Sequence, residues 1–410
     1  MIRHQVYFDR LGSMREDSPL WRSVFAGLSV LRLIDSYVET GASVDPTNWA
    51  QLHSVRSAVD NVSDGDPMRG VLTTVLEEAN KRAAVDEVVC ASLLQYGHAL
   101  DYEASWGLAV DVFSTVAKLA RPEKNPRLAV EANILVGGSA RRNGDWEISA
   151  RAYSQAAYIA DTVGDREGVL TVQVGIANTY MAKGNLPQAQ TILDDVIIQA
   201  QDRAMADVHG RALHARAALA ARQGKHAEGL KLAYEALGHI RKPAQRDEVL
   251  DDMGAMFTLL GRYDAARDTH LILANTAQTK LVRWSASLNL MELASLDGQE
   301  LAFDTYSREL AREPLNPWLR AHYLLFLGEG FARFGRYEAA EDALSEASVF
   351  ADVNQLHELA FKAQSALEAL HATSTSKPKF STASQWVPEE VDTVIRAISD
   401  LRKATVAASD

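Results

Sequence analysis

The stretch GRYEAAEDAL at 335–344 nearly duplicates GRYDAARDTH at 261–270, 74 residues earlier. A segment that recurs at a fixed interval restricts a chain to stacked copies of one small unit. From Gly335, backward steps of 37 reach Gly298, Gly261 and Gly224. Steps of 40 then reach Gly184, Gly144 and Ala104, so seven units fall on one ruler. Neighbouring columns keep step. Seven residues before the marker stand Gly97, Gly137, Ala177, Ala217, Gly254, Met291 and Gly328. Five after it stand Ala109, Ser149, Ala189, Gly229, Ala266, Phe303 and Ala340.

These columns predict pairs of packed helices. The marker glycine supplies a turn conformation that a Cβ resists. Before it, Leu324, Leu327, Gly328 and Phe331 have helical spacing; after it, Tyr337, Ala340, Leu344 and Ala347 do so again. The small residues are expected where two helix axes approach, and a large side chain there would cost about 1–3 kcal/mol. The aromatic two residues past the turn, such as Trp106, Trp146, Tyr263 and Tyr337, is expected to fill space between hairpins. Pro122, Pro243 and Pro314 fall between hairpins, where a helix interior would not hold them. Glu300 and Phe303 break two columns, which predicts a shifted or distorted sixth unit.

This pattern resembles the tetratricopeptide repeat family. It is best written at 324–347 and again at 250–274, and the resemblance covers about residues 86–371. The usual period is about 34. The 37–40 here resembles the lengthened repeats of bacterial regulatory proteins, such as the sensor domains of maltose-type activators and the Rap regulators. The resemblance implies an all-α fold, a right-handed superhelical solenoid of antiparallel hairpins whose first helices line a concave groove for a protein segment. Carried over position by position, the inward residues are Glu131, Arg141, Arg142 and Asn178, then Arg211, His214 and Arg222. Glu248, Asp251, Asp252, Glu292, His322 and Glu329 follow. The earlier units are mostly basic and the later ones mostly acidic.

Around the array, residues 1–85 read as an N-terminal helical cap with degenerate hairpins. Residues 86–371 hold about seven hairpins and a capping helix, residues 372–385 a polar linker, and residues 386–410 an amphipathic helix. In that last segment Val391, Val394, Ile395, Ile398 and Leu401 form one apolar stripe. It must be buried on the end of the array, in its own groove, or against another copy of the chain.

Function classes are bounded by what the chain carries. A formal charge of -12 opposes a broad nucleic-acid surface. No signal peptide opens the sequence, and Arg32 and Asp35 interrupt its most apolar segment, so a cytoplasmic location and no membrane partner are expected. The single cysteine, Cys90, lies in an apolar helical run and reads as inert. DNVSDGDP at 60–67 fails as a calcium loop, because Val62 and Val71 stand at ligand positions. No phosphate loop, nucleophile elbow or metal-binding histidine pair is present. Neither an enzyme, a cofactor nor a metal site is expected. Glu248, Asp251 and Asp252 share a helix face and read as a solvated or ligand-facing acidic stripe. The reading is a non-enzymatic adaptor or regulator that holds a polar, charged protein or peptide segment. The alternative is a homo-oligomeric scaffold joined through its ends or its last helix.

Overall fold

A computed structural model of the chain describes residues 3–16, 18–40, 46–82, 85–120, 122–277, 279–354, 356–373 and 389–407. The expected linker lies, apart from its first two positions, outside the described residues, as does the segment 386–388 that would open the last helix. Among the described residues there are twenty α-helices and no strand. Residues 1–184 and 185–410 form two compact units.

The first unit holds α1 (Gln5–Gly12), α2 (Pro19–Thr40), α3 (Pro46–Asp60), α4 (Pro67–Arg82), α5 (Glu87–Tyr102), α6 (Trp106–Leu119), α7 (Pro126–Arg142), α8 (Trp146–Thr162) and α9 (Arg166–Ala182). The second holds α10 (Leu186–Asp202), α11 (Ala206–Arg222), α12 (His226–His239), α13 (Pro243–Leu259), α14 (Tyr263–Thr276), α15 (Lys280–Leu296) and α16 (Glu300–Leu310). It continues with α17 (Pro317–Arg333), α18 (Tyr337–Val353), α19 (His357–Thr373) and α20 (Glu389–Ala407). Consecutive helices pack on one another from α1 to α9 in the first unit and from α10 to α19 in the second. First helices also touch the next first helix, as α7 does α9, α13 does α15 and α17 does α19. Each unit is a run of packed helix hairpins.

Every marker on the ruler is a left-handed turn. Gly144, Gly184, Gly224, Gly261, Gly298 and Gly335 have φ between 66° and 82°, and Ala104 adopts the same conformation at 56°. In the turns at Gly144, Gly261 and Gly335 the following residue donates its N–H to a carbonyl five residues back, closing the preceding helix. The junctions between hairpins use two more such turns, at Gly164 and Ala204, which the 37–40 ruler does not mark.

The small column has a sharper cause than close axes. Each of its glycines receives a large side chain from the second helix of its own hairpin. A Cβ built on Gly97 would fall 2.3 Å from the Phe113 ring, on Gly137 2.7 Å from Tyr153, on Gly254 2.4 Å from His270 and on Gly328 2.6 Å from Leu344. Those knobs all stand nine residues past the turn. Tyr153 is held on its other side by Gly175 of α9, where a Cβ would come within 2.4 Å. In the sixth hairpin the sizes are exchanged: Met291 occupies the glycine position and Ser307 the knob position, both buried. That hairpin is therefore in register and not shifted. Its Phe303, which breaks the other column, is fully buried and fills the space over Gly330, packing on Phe331 and Phe334. The turn aromatics are less buried than expected for core filling: Trp106, Trp146 and Tyr263 are half-buried and Tyr337 is exposed.

Helix α1 has no counterpart in the sequence reading. It packs on α2 and α6, with Tyr7 buried and its hydroxyl 3.1 Å from that of Tyr96. His4, just before it, is buried between Asp111 Oδ2 (2.5 Å from Nδ1) and Asp35 Oδ2 (3.3 Å from Nε2). Burial pulls its pKa down, but the Asp111 hydrogen bond and both carboxylate charges outweigh that and raise it above the ordinary value. Asp66 of the rejected calcium loop caps α4, accepting from the Met68 N–H at 2.8 Å. Burial pushes the Cys90 thiol up to about 11. Among the described residues no helix is long and apolar enough to cross a membrane.

Candidate functional site

The first helices place the expected recognition residues, and each unit presents its own first-helix face. In the first unit, Arg142 of α7 reaches Asp101 of α5 at 2.6 Å, and the Ser139 hydroxyl donates to the same carboxylate at 2.7 Å. Arg141 lies beside Tyr153, where burial raises the phenol pKa and the arginine opposes the rise. Asn178 is half-buried on α9, and its side-chain amide, with one acceptor and two donors, makes no hydrogen bond to another described residue.

In the second unit the expected residues join a continuous polar line across α11, α13, α15 and α17. Arg211 pairs with Asp207 one turn back at 3.3 Å. His214 Nε2 meets Asp252 Oδ2 at 2.7 Å. Burial lowers the His214 pKa, and the Asp252 hydrogen bond, with the charges of Asp252 and Glu248, overcomes this and raises it. Asp251 turns the other way, to α15, accepting from Ser285 Oγ at 2.9 Å and Asn289 Nδ2 at 3.3 Å. Next along, Arg333 of α17 donates to Ser295 Oγ at 2.9 Å and pairs with Glu329 at 3.1 Å. Arg222, exposed at the end of α11, helps to lower the pKa of Glu358 on α19, behind the larger effect of Lys362.

Two carboxylates on this face are poised near neutrality. Burial raises Asp251 to about 7, partly opposed by the Ser285 and Asn289 hydrogen bonds and assisted by the charges of Asp252 and Glu248. Burial also raises Glu292 to about 7, with the Glu329 charge adding to it and Arg333 opposing. Asp251 is half-buried, its side chain 26% exposed. Of the expected acidic stripe, only Glu248 and Asp252 are exposed. Behind Asp251, His270 is fully buried, its Nδ1 3.5 Å from Asp251 Oδ1. Burial lowers its pKa to about 3, so it is a neutral knob and not a counter-charge.

Ser285, Asn289, Ser295 and Arg333 were missed as members of the site. A signal for two of them exists: Ser285 and Asn289 stand at the turn-relative positions of Glu248 and Asp252, one hairpin later.

A raised carboxylate pKa gives a signed pH dependence. The folded chain keeps a proton on Asp251 up to about pH 7, whereas the unfolded chain releases it near 3.8. Stability drawn from that proton is complete below pH 4 and is lost as pH rises through 7. Asp251→Asn has nothing to ionise. Its unfolding free energy relative to the unaltered chain, read by urea titration, should therefore climb between pH 5 and pH 8, by roughly 2–4 kcal/mol. A difference that stays level with pH would mean that Asp251 is ionised throughout.

The stripe of the last helix is covered by its own chain. Val391, Val394 and Ile398 are 2%, 4% and 1% exposed and join the core of the second unit, Ile395 is half-buried, and Leu401 remains 40% exposed. The helix α20 packs on α12 and α14, the second helices of two successive hairpins. Lys231 holds Glu390 at 3.2 Å at one end, and Arg402 bonds Asp268 at the other. It lies on neither the last hairpin nor the polar first-helix line.

No known family profile matches the chain, and no curated protein matches it. Several solved structures resemble it in fold. A Rap protein complexed with Competence and Sporulation Factor shares 12% identity, with 86% of this chain and 98% of that one covered and a TM-score of 0.44. The APC/C hetero-tetramer Cut9–Hcn1 shares 13%, with 92% and 75% covered and a TM-score of 0.49. The apo form of the quorum sensor NprR from B. thuringiensis shares 12%, with 90% and 92% covered and a TM-score of 0.39.

Proposed function

We propose that this chain is a non-enzymatic adaptor or regulator that holds a polar, charged protein segment on the first-helix face of residues 185–373. One observation carries the reading. On this face Asp251 accepts from two neutral donors, Ser285 and Asn289, while His214 is turned to Asp252 and Arg333 to Glu329. A basic side chain arriving there would take the place of a cation that the chain does not supply. It would also lower the carboxylate pKa values from about 7, so binding should strengthen as pH rises from 6 to 8. The flanking cations Arg211 and Arg222 suit an acidic residue elsewhere on the same segment.

Glu248 and Asp252 are exposed, so their reversal leaves the packing of Asp251 intact. Glu248→Lys/Asp252→Lys should keep its helicity and lose at least about tenfold of partner capture in native-cell affinity pull-downs. Equal capture by the two proteins would overturn the reading.

A further inference from the structure

A second surface follows from the landing of α20. The groove between two successive second helices, α12 and α14, is a helix slot, and α20 fills it. Its ends are fixed by Lys231 and Asp268, each seven residues past its turn glycine. The groove between α6 and α8 occupies the corresponding place in the first unit, with Arg3–Val6 lining it at the Asp111 end. It has a volume of about 980 Å³, with Val110, Val136 and Ile159 in its floor and Lys118, Arg151 and Gln155 on its rim. The residues seven past the turn are Asp111 and Arg151, so the signs are exchanged relative to Lys231 and Asp268.

The acidic groups of this groove are already taken. His4 closes on Asp111 at 2.5 Å, and the Asn143 amide donates to Asp145 at 2.6 Å. Lys118 and Arg151 are exposed and make no ion pair with any described residue. A helix seated as α20 is seated would bring its C-terminal half to Arg151. The residues of α20 there are Arg402 and Lys403, which would be repelled, so a second copy of this chain does not suit the slot.

We infer that the α6–α8 groove docks an amphipathic helix of a partner protein, with an apolar stripe along the floor and acidic residues facing Lys118 and Arg151. Helix-in-groove recognition of this kind takes its affinity from the stripe and its selectivity from the charges at the ends. The surface is separate from the polar first-helix line, so the two could serve different partners.

The test uses the full chain and two labelled peptides. One is the sequence of residues 389–407; the other is the same sequence with Arg402→Glu and Lys403→Glu. In fluorescence anisotropy the acidic peptide should bind about fivefold or more tightly than the other, the size of one to two exposed ion pairs. Lys118→Glu/Arg151→Glu, at two exposed positions, should erase that preference without changing helicity. Equal binding of the peptides, or a preference that survives the double substitution, would sink the proposal. Tighter binding of the unaltered peptide, together with dimerisation of the chain, would assign the groove to a second copy instead.

Discussion

Gly97→Ala should destabilise the protein while Phe113 is present and stabilise it once Phe113 is gone. A Cβ at Gly97 would overlap the Phe113 ring at 2.3 Å, and that ring is fully buried, so something must shift. Overpacking of this kind costs about 1–3 kcal/mol. Phe113→Ala alone should cost about 3–5 kcal/mol, from lost burial and the cavity it leaves. In the double variant the clash has vanished, and alanine in mid-helix is better than glycine by roughly 1 kcal/mol. Gly97→Ala/Phe113→Ala should therefore be more stable than Phe113→Ala, a change of sign that additive effects cannot produce. Urea unfolding followed by circular dichroism reads the cycle. If the glycine substitution costs the same with and without the ring, the knob is not what the glycine serves. The same cycle at Gly137 and Tyr153 should show the same reversal, with Gly175 adding a second wall to the slot.

That pairing also shows what the sequence could and could not disclose. Turn markers were legible because a left-handed residue is a local demand, and six of seven positions answer it with glycine. The small column was legible as a column, but its cause was not, since close axes and a received side chain leave the same trace. Reading position seven before the turn together with position nine after it separates them. Large and small then alternate as Gly97 with Phe113, Ala177 with Leu193 and Met291 with Ser307. The apparent defect at Met291 becomes an exchange of sizes. Other features depend on distant partners and left no local mark. The raised pKa of Asp251 comes from burial, and the Ser285 and Asn289 side chains that temper it lie 34 and 38 residues further on. His4 and its short helix make sense only beside Asp111, 107 residues away. The stripe of α20 was plain from its spacing, but its address is set by Lys231 and Asp268, two unremarkable surface charges in sequence.

Ending the chain at Ala372 should cost the second unit stability without changing the mass of the particle. Removing α20 uncovers the α12–α14 slot and exposes what Val391, Val394 and Ile398 had covered. Burial of three such side chains contributes roughly 1.5–3 kcal/mol each. The entropy of ordering the helix offsets much of that, leaving a net effect of about 2–4 kcal/mol. For a unit of this size the melting temperature should fall by roughly 5–10 °C. Light scattering should return one chain per particle before and after the cut, because the stripe is already satisfied within the chain. A scaffold joined through α20 predicts the reverse, an oligomer that the cut converts to single chains. Val394→Asp separates the helix from its slot while keeping every residue of the tail, so it should reproduce most of the lost stability. If it does so and the full chain still runs as one copy, α20 is a strap on the second helices, and the first-helix face stays open to its partner.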